Sequence, residues 1–432
     1  MLELIDGRDR QAPVHIPRPR VPATRALDIA TEVKAIVDDV RLRGDAAVIE
    51  HTERLDGVKL TAAQLVVDED TLARAPALVR PELIDALEVM TARLERTCER
   101  QLPQSWMERS EDEYVGELVR PLRRAGIYAP GGRAAYPSSV IMALTPARVA
   151  GVEGVAVASP PSRHGEIAEA VLAACSVANA SEVYRLGGAV AVAALAYGTE
   201  TVRPVDKVFG PGNVYVTAAK RLVQSWVGTD SEAGPTEIAV IADERVDPVV
   251  VAADLVAQAE HGPLGCHALI TWSEELAEAT AAALEGMVAS HERADDLENA
   301  LIEGGVTVLV RDLDHALDTA NALAPEHLEL LFEGAFEALD RVRNTGAVFV
   351  GPYSPVCAGD YVAGTNHVLP TGGSARWASG LGVSDFVTRT YLCGLERSSL
   401  ERLAPHIVAL SEAEGLPAHA RSVARRLAPR RS

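Results

Sequence analysis

Lysine is scarce in this chain of 432 residues: Lys34, Lys59, Lys207 and Lys220 stand against 37 arginines. None sits in a motif that suggests a Schiff base. Cysteine is nearly as rare, with Cys98, Cys175, Cys266, Cys357 and Cys393. The number is odd and no Cys-x-x-Cys pair occurs, so reduced thiols in a cytoplasmic protein fit best. No apolar run approaches the ~18 residues that a spanning helix needs. The start, Met-Leu-Glu-Leu-Ile-Asp-Gly-Arg, lacks a basic segment followed by an apolar run, so no secretory leader is expected. Positive charge is in deficit: the net charge is −20 and the pI is near 5.0. That argues against nucleic acid or an anionic membrane as the main partner. Also missing are a Gly-x-Gly-x-x-Gly fingerprint and any repeat at solenoid periods.

What is present is the composition of a globular protein, 48% hydrophobic and 24% charged. Its length predicts two or more domains of roughly 100–200 residues each. Residues 1–25 are rich in proline and read as an irregular arm laid over something else. From Ala26 to Cys98 the pattern is helical, with stripes at Val33, Ile36, Val37 and Val40 and at Leu83, Leu87, Met90 and Leu94. Beyond about 120, short apolar runs alternate with helical stretches, which predicts parallel α/β sheets. One set runs from Arg124–Tyr128 through Ala189–Tyr197. A second runs from Glu237–Ile241 through Ala347–Val350. After about 380 short helices are expected, closing on a basic end from Arg421 to Arg431.

Glycine loops follow several of the expected strands: Tyr128-Ala-Pro-Gly-Gly-Arg, Leu186-Gly-Gly-Ala and Phe209-Gly-Pro-Gly-Asn213. Glycine lets a backbone approach a ligand, and amides at a helix start attract phosphate. Each loop taken alone reads first as a tight turn, since turn glycines are commoner than ligand glycines.

Four polar stretches carry candidate chemistry. In Asn321–Phe332 a helical pattern ends at Pro325 and period-two alternation begins, with Glu326 beside His327 at the joint. Strand neighbours point to opposite faces, so this acid and imidazole can serve one substrate only from an element end. In Asp254–Pro263, Gln258 and His261 share the last turn of a helix opened by Pro248, with Asp254 a turn below. Such a pair is a workable half of a metal site, or simply a helix end whose histidine suits the dipole. Gly351–Pro370 sets Asp360 and His367 in a loop too irregular for a regular element, where function concentrates. Near the end, Glu414 and His419 flank a Gly-Leu-Pro turn.

Together these segments resemble the L-histidinol dehydrogenase family, over nearly the whole chain beyond the arm. The matching stretches, in the family's order, are Gly126–Gly132, Pro137–Ala150, Gly187–Thr199, Gly210–Arg221, Ala233–Asp243, Gln258–Gly262, Ala324–Leu330, Gly351–Thr371 and Glu414–His419. The resemblance implies two incomplete Rossmann-like parallel-sheet domains, related to aldehyde dehydrogenases, in a homodimer. Residues 26–120 with 236–380 would form a discontinuous catalytic domain. Residues 121–235 would bind NAD, and 381–432 would form a dimerisation region. One Zn²⁺ per subunit would be held by Gln258, His261 and Asp360, with His419 from the other subunit. Glu326 and His327 would be the catalytic pair. Thr236, His367 and Glu414 would touch L-histidinol, alongside the metal ligands and His327. NAD contacts would fall at Tyr128, Val190 and Asn213; at position 190 the family has glutamine.

The residue types agree with that chemistry. Two nitrogen and two oxygen donors without thiolate suit zinc with an open position. An imidazole and a carboxylate supply a base for each of two oxidations. No cysteine occupies a nucleophile position, and Cys357 reads as packing. Three other readings remain open: the same scaffold oxidising another small amino or hydroxy alcohol, a zinc hydrolase using Glu326 to activate water, and a non-catalytic binding protein.

Overall fold

Two parallel sheets of the same strand order organise most of the chain. The computed structural model describes residues 2–131, 135–231 and 234–429. Gly132 and Arg133 of the first glycine loop, Ala233 and the last basic residue Arg431 lie outside them. Among the described residues the strands are β1 (Glu3–Asp6), β2 (Trp106–Arg109), β3 (Glu113–Pro121), β4 (Arg124–Tyr128) and β5 (Gly154–Ser159). They continue as β6 (Glu182–Arg185), β7 (Lys207–Phe209), β8 (Gly228–Thr229), β9 (Glu237–Ala242) and β10 (Cys266–Thr271). The last four are β11 (Gly305–Leu309), β12 (His327–Leu331), β13 (Ala347–Val350) and β14 (Val387–Leu395).

The first sheet runs β6-β5-β4-β7-β8, all parallel. The order reverses between β4 and β7, which is the switch point of a doubly wound fold. The second sheet runs β1-β11-β10-β9-β12-β13, also all parallel. Apart from β1 it repeats the order of the first, with its switch point between β9 and β12. This is the α/β class expected from alternating runs of β-branched residues and helical stretches. The strands β9, β10, β11 and β12 are buried at every position, as helices on both faces require.

Two compact units divide the chain. The first comprises residues 1–101 and 122–386 and holds both parallel sheets; the second comprises 102–121 and 387–432. In the second unit β14-β3-β2 form an antiparallel sheet, followed by helices Arg397–Ala413 and Pro417–Leu427. Short helices alone were expected after 380, so β14 is a correction. Its nine residues are mostly exposed on both sides, and such a strand has no apolar alternation to announce it. The arm holds a second surprise. Glu3–Asp6 joins the edge of the six-stranded sheet beside β11, a parallel pairing across some 300 residues with no local signal. Val14 and Ile16 further along the arm are buried in that sheet's core. No helix among the described residues is long and apolar enough to cross a membrane.

Candidate active site

β9 and β12 lie side by side at the switch point, and the site is built at their amino ends. Helix Leu313–Leu323 stops where Ala324 turns left-handed (φ 54°), and Pro325 follows. Glu326 therefore sits on a turn and His327 opens β12, which lets both point into one space. The Glu326 carboxyl is buried and accepts hydrogen bonds from the Thr236 hydroxyl at 2.6 Å and the Glu237 amide at 2.9 Å. Burial raises its pKa to about 8, against the pull of those two donors. His327 donates from Nδ1 to the Glu237 carbonyl at 2.9 Å. Its Nε2 is buried, has no hydrogen-bond partner among the described residues, and lies 3.9 Å from Asp360 Oδ1. Burial holds this imidazole neutral, so Nε2 presents a lone pair. Glu237, the first residue of β9, thus fixes both catalytic candidates through its own backbone.

The other expected residues arrive on elements that return to the same edge. Helix Pro248–Ala259 follows β9 and runs back antiparallel to it, so its last turn reaches the amino end of the sheet. Gln258 there is buried and donates to the Thr236 hydroxyl. The helix ends at Ala259, before His261, which was expected within its last turn. The turn persists because the His261 amide donates to the Gln258 carbonyl. His261 is exposed to solvent, yet the protein packed around its ring lowers its pKa by desolvation, with Asp360 opposing. Asp360 lies on the short helix Val356–Tyr361, which turns back after β13; its carboxyl is raised by burial. The expected irregular loop thus contains one helical segment. His367 donates from Nδ1 to the Asp360 carbonyl at 2.8 Å, and burial pulls its pKa down to about 4. Cys357, expected as packing, is exposed. Among the described residues no three His, Cys, Asp or Glu side chains gather as a metal site.

The five-stranded sheet contributes from its carboxyl edge. Helix Pro137–Ala150 follows β4, and its Ser139 hydroxyl is 3.4 Å from His367 Nε2. Asn366 beside His367 donates to the Met142 carbonyl of that helix. Sequence reasoning missed Ser139, because a serine in a helical turn carries no local signal. At the same edge the Tyr128 hydroxyl accepts from the Gly188 amide at 3.2 Å. Asn213 caps the next helix, accepting from the amides of Tyr215 and Val216. Val190 is buried in the apolar cluster of helix Gly188–Tyr197, so this position offers a ligand its backbone and not its side chain. Gly210 stands at φ 110°, and a Cβ there would collide with the Tyr128 carbonyl.

The family model for histidinol dehydrogenase matches residues 20–427. The chain belongs to the histidinol dehydrogenase family. It is 46% identical over 396 residues to the histidinol dehydrogenase of Syntrophotalea carbinolica, covering 91% of this chain and 92% of the relative. It is 45% identical over 427 residues to that of Moorella thermoacetica, covering 98% and 99%. The crystal structure of histidinol dehydrogenase from Elizabethkingia anophelis superposes with a TM-score of 0.88 at 32% identity, covering 99% of this chain and 98% of that one. Membership in the histidinol dehydrogenase family makes the chain an oxidoreductase of histidine biosynthesis. Of the residues that the family resemblance singled out, the structure gathers Thr236, Gln258, His261, Glu326, His327, Asp360 and His367 at the β9–β12 edge. Glu414 and His419 belong to the second unit. Glu414 caps helix Arg397–Ala413 and His419 stands exposed in the first turn of Pro417–Leu427.

Proposed function

We propose that this chain oxidises L-histidinol to L-histidine through L-histidinal, removing two hydrides at one site with Zn²⁺ and two NAD⁺. The observation that carries the reading is the buried, unpartnered Nε2 of His327, fixed by Glu237 and set beside Asp360 and Glu326. An unsatisfied acceptor in a buried polar cleft is costly and suits a base that meets a proton only when substrate is bound.

The donor set fits zinc. Thr236 occupies the Gln258 amide nitrogen, which leaves the carbonyl oxygen to bind metal. Desolvation by the surrounding protein favours the neutral, ligating form of His261, and Asp360 adds a carboxylate. The partner's His419 would complete the set, and the partner's Glu414 would contact the substrate. When bound, zinc would anchor the imidazole and polarise the reacting oxygen, and NAD⁺ would accept the hydride.

In the first step His327 takes the alcohol proton at Nε2 as hydride leaves the substrate carbon. In the second, ionised Glu326 takes a proton from water as its oxygen adds to the aldehyde carbon. As the water adds, His327 returns its first proton to the aldehyde oxygen. It then takes a hydroxyl proton of the resulting hydrate as the second hydride leaves to the second NAD⁺. Thr236 steers the Glu326 carboxyl, and His367, anchored on the Asp360 backbone carbonyl, would touch the substrate. Tyr128, the backbone near Val190 and Asn213 would line the cofactor at the carboxyl edge of the first sheet, in reach of the reacting carbon. A cytoplasmic homodimer completes this reading.

The test is stoichiometry. Limiting histidinol should yield two NADH and one histidine, whereas one NADH with free aldehyde would overturn the four-electron reaction. Sharing between subunits has its own test. His327→Ala and His419→Ala, each inactive alone, should recover about a quarter of wild-type sites in randomly mixed dimers, by two-fold symmetry. Mixed dimers without recovery would show that each site is built within one chain.

A further inference from the structure

β12 carries another acid that the reaction leaves unused. Glu329 lies two residues beyond His327, so its side chain leaves the same face of the strand, and it is fully buried. Its Oε1 accepts the Val356 amide at 3.0 Å. Val356 is the first residue of the short helix that bears Asp360, where amides lack helical partners. Among the described residues no amide, hydroxyl or cationic group reaches Glu329 Oε2. The group beside it is the carboxyl of Asp254, one turn before Gln258 on helix Pro248–Ala259. A buried carboxyl and a half-buried one sit together most easily when a proton lies between them, because two ionised acids repel. Burial, and then the neighbouring Asp254, push the Glu329 carboxyl well up, in keeping with that shared proton.

We propose that Glu329 is a positioning residue whose carboxyl ties together the three elements that carry the reactive and metal-binding groups. β12 brings Glu326 and His327, the helix Val356–Tyr361 brings Asp360, and the helix Pro248–Ala259 brings Gln258 and leads into His261. An apolar side chain of the same size would fill the space but tie neither helix. The Val356 amide would lose its acceptor, and Asp254 would face a hydrocarbon. The spacing between Asp360, His261 and His327 then loses one of its polar constraints, and small displacements of catalytic groups are expensive in rate. The proposal rests on the reading of Gln258, His261 and Asp360 as metal ligands.

The experiment compares wild type with Glu329→Gln, Glu329→Leu and Asp254→Leu, each purified with zinc. Glutamine keeps the acceptor for Val356 and offers a donor to Asp254, so this variant should match wild type in zinc release to a chromogenic chelator and in kcat. Leucine at 329 should speed zinc release and lower kcat by about 10–100-fold each, as for lost supports behind a metal site, with KM for NAD⁺ unchanged. Asp254 is half-buried, so Asp254→Leu tests the same tie where the core itself is not disturbed; a smaller change in the same direction is expected. Circular dichroism checks that each variant is folded. A folded Glu329→Leu protein with wild-type zinc release and kcat would overturn the proposal, as would a Glu329→Gln protein damaged as badly as Glu329→Leu. Should Glu329→Leu fail to fold, wild-type behaviour of Asp254→Leu would overturn it instead. A wild-type protein that holds no zinc would sink the metal reading alone, because the kcat of Glu329→Gln against Glu329→Leu still decides the brace.

Discussion

The two parallel sheets share a strand order yet present opposite edges to the site. In the five-stranded sheet the features of interest follow the carboxyl ends of β4, β6 and β7: Tyr128, Gly187-Gly188 and Gly210. Ligands of open α/β sheets ordinarily bind at that edge, beside the switch point. In the six-stranded sheet the candidate reactive groups stand at the amino ends of β9 and β12, and the helix ends bearing Gln258 and Asp360 return to the same edge. The chemistry differs to match. The first edge offers backbone amides, a phenol and glycines. The second buries Glu326, His327 and Glu329, whose protonation burial has shifted. On the proposed function, one fold used twice is divided into an edge that holds and an edge that reacts. Ser139 and His367 mark where the two meet.

Substitutions at the two edges should fail differently. The largest effect is expected for His327→Asn, which removes the lone pair at Nε2. Both half-reactions should slow by about 10²–10⁴-fold, the usual worth of a general base, with NAD⁺ affinity unchanged. Steady-state rates with histidinol and with histidinal check this, and a variant that still oxidises either at near wild-type speed would reassign the base.

Glu326→Gln should be next, and selective. Only the aldehyde step needs water activated, so histidinal oxidation should fall far more than histidinol oxidation. Burial raises this carboxyl from 4.5 to about 8, so the folded protein favours its protonated form. The stabilisation this gives is present below pH 4.5 and is lost as pH rises through about 8, while the ionised base grows over the same range. Histidinal oxidation should therefore climb between pH 6 and about 8 in wild type, and the variant should lose that limb. Equal losses in the two half-reactions, or an unchanged pH profile, would remove Glu326 from the water step.

A smaller effect is expected at the holding edge. Gly210→Ala places a Cβ against the Tyr128 carbonyl at a backbone angle that suits glycine, a strain of about 1–3 kcal/mol. The loop is pinned from below, since the Gly210 amide donates to Asp230 at 2.8 Å and Lys220 donates to the Gly210 carbonyl. Strain should therefore push outward on Asn213 and Tyr128, raising KM for NAD⁺ more than it lowers kcat. A kcat loss at constant KM would place the reactive groups, not the cofactor, at this edge.

Much of this division could be read from residue order. Proline and glycine punctuation set the ends of helix Pro248–Ala259 and of the turn before His327, because these residues act on their own backbone wherever they occur. Alternating apolar runs gave the parallel sheets, and the order of short motifs gave the family. Several things did not follow from local pattern. β1 and β14 carry little apolar alternation, and only distant partners make them strands. Glu329 in Leu-Glu-Leu looks like the solvated side of a strand, yet it is buried, because β12 lies between β9 and β13 with helices on both faces. Residue order determined which groups were available: one acid beside one imidazole, a glutamine and histidine three apart, an aspartate among glycines. Only the tertiary structure decided their protonation and their aim. Burial and the hydrogen bonds from Glu237 and Thr236 are long-range, whereas a side chain's type is fixed where it stands.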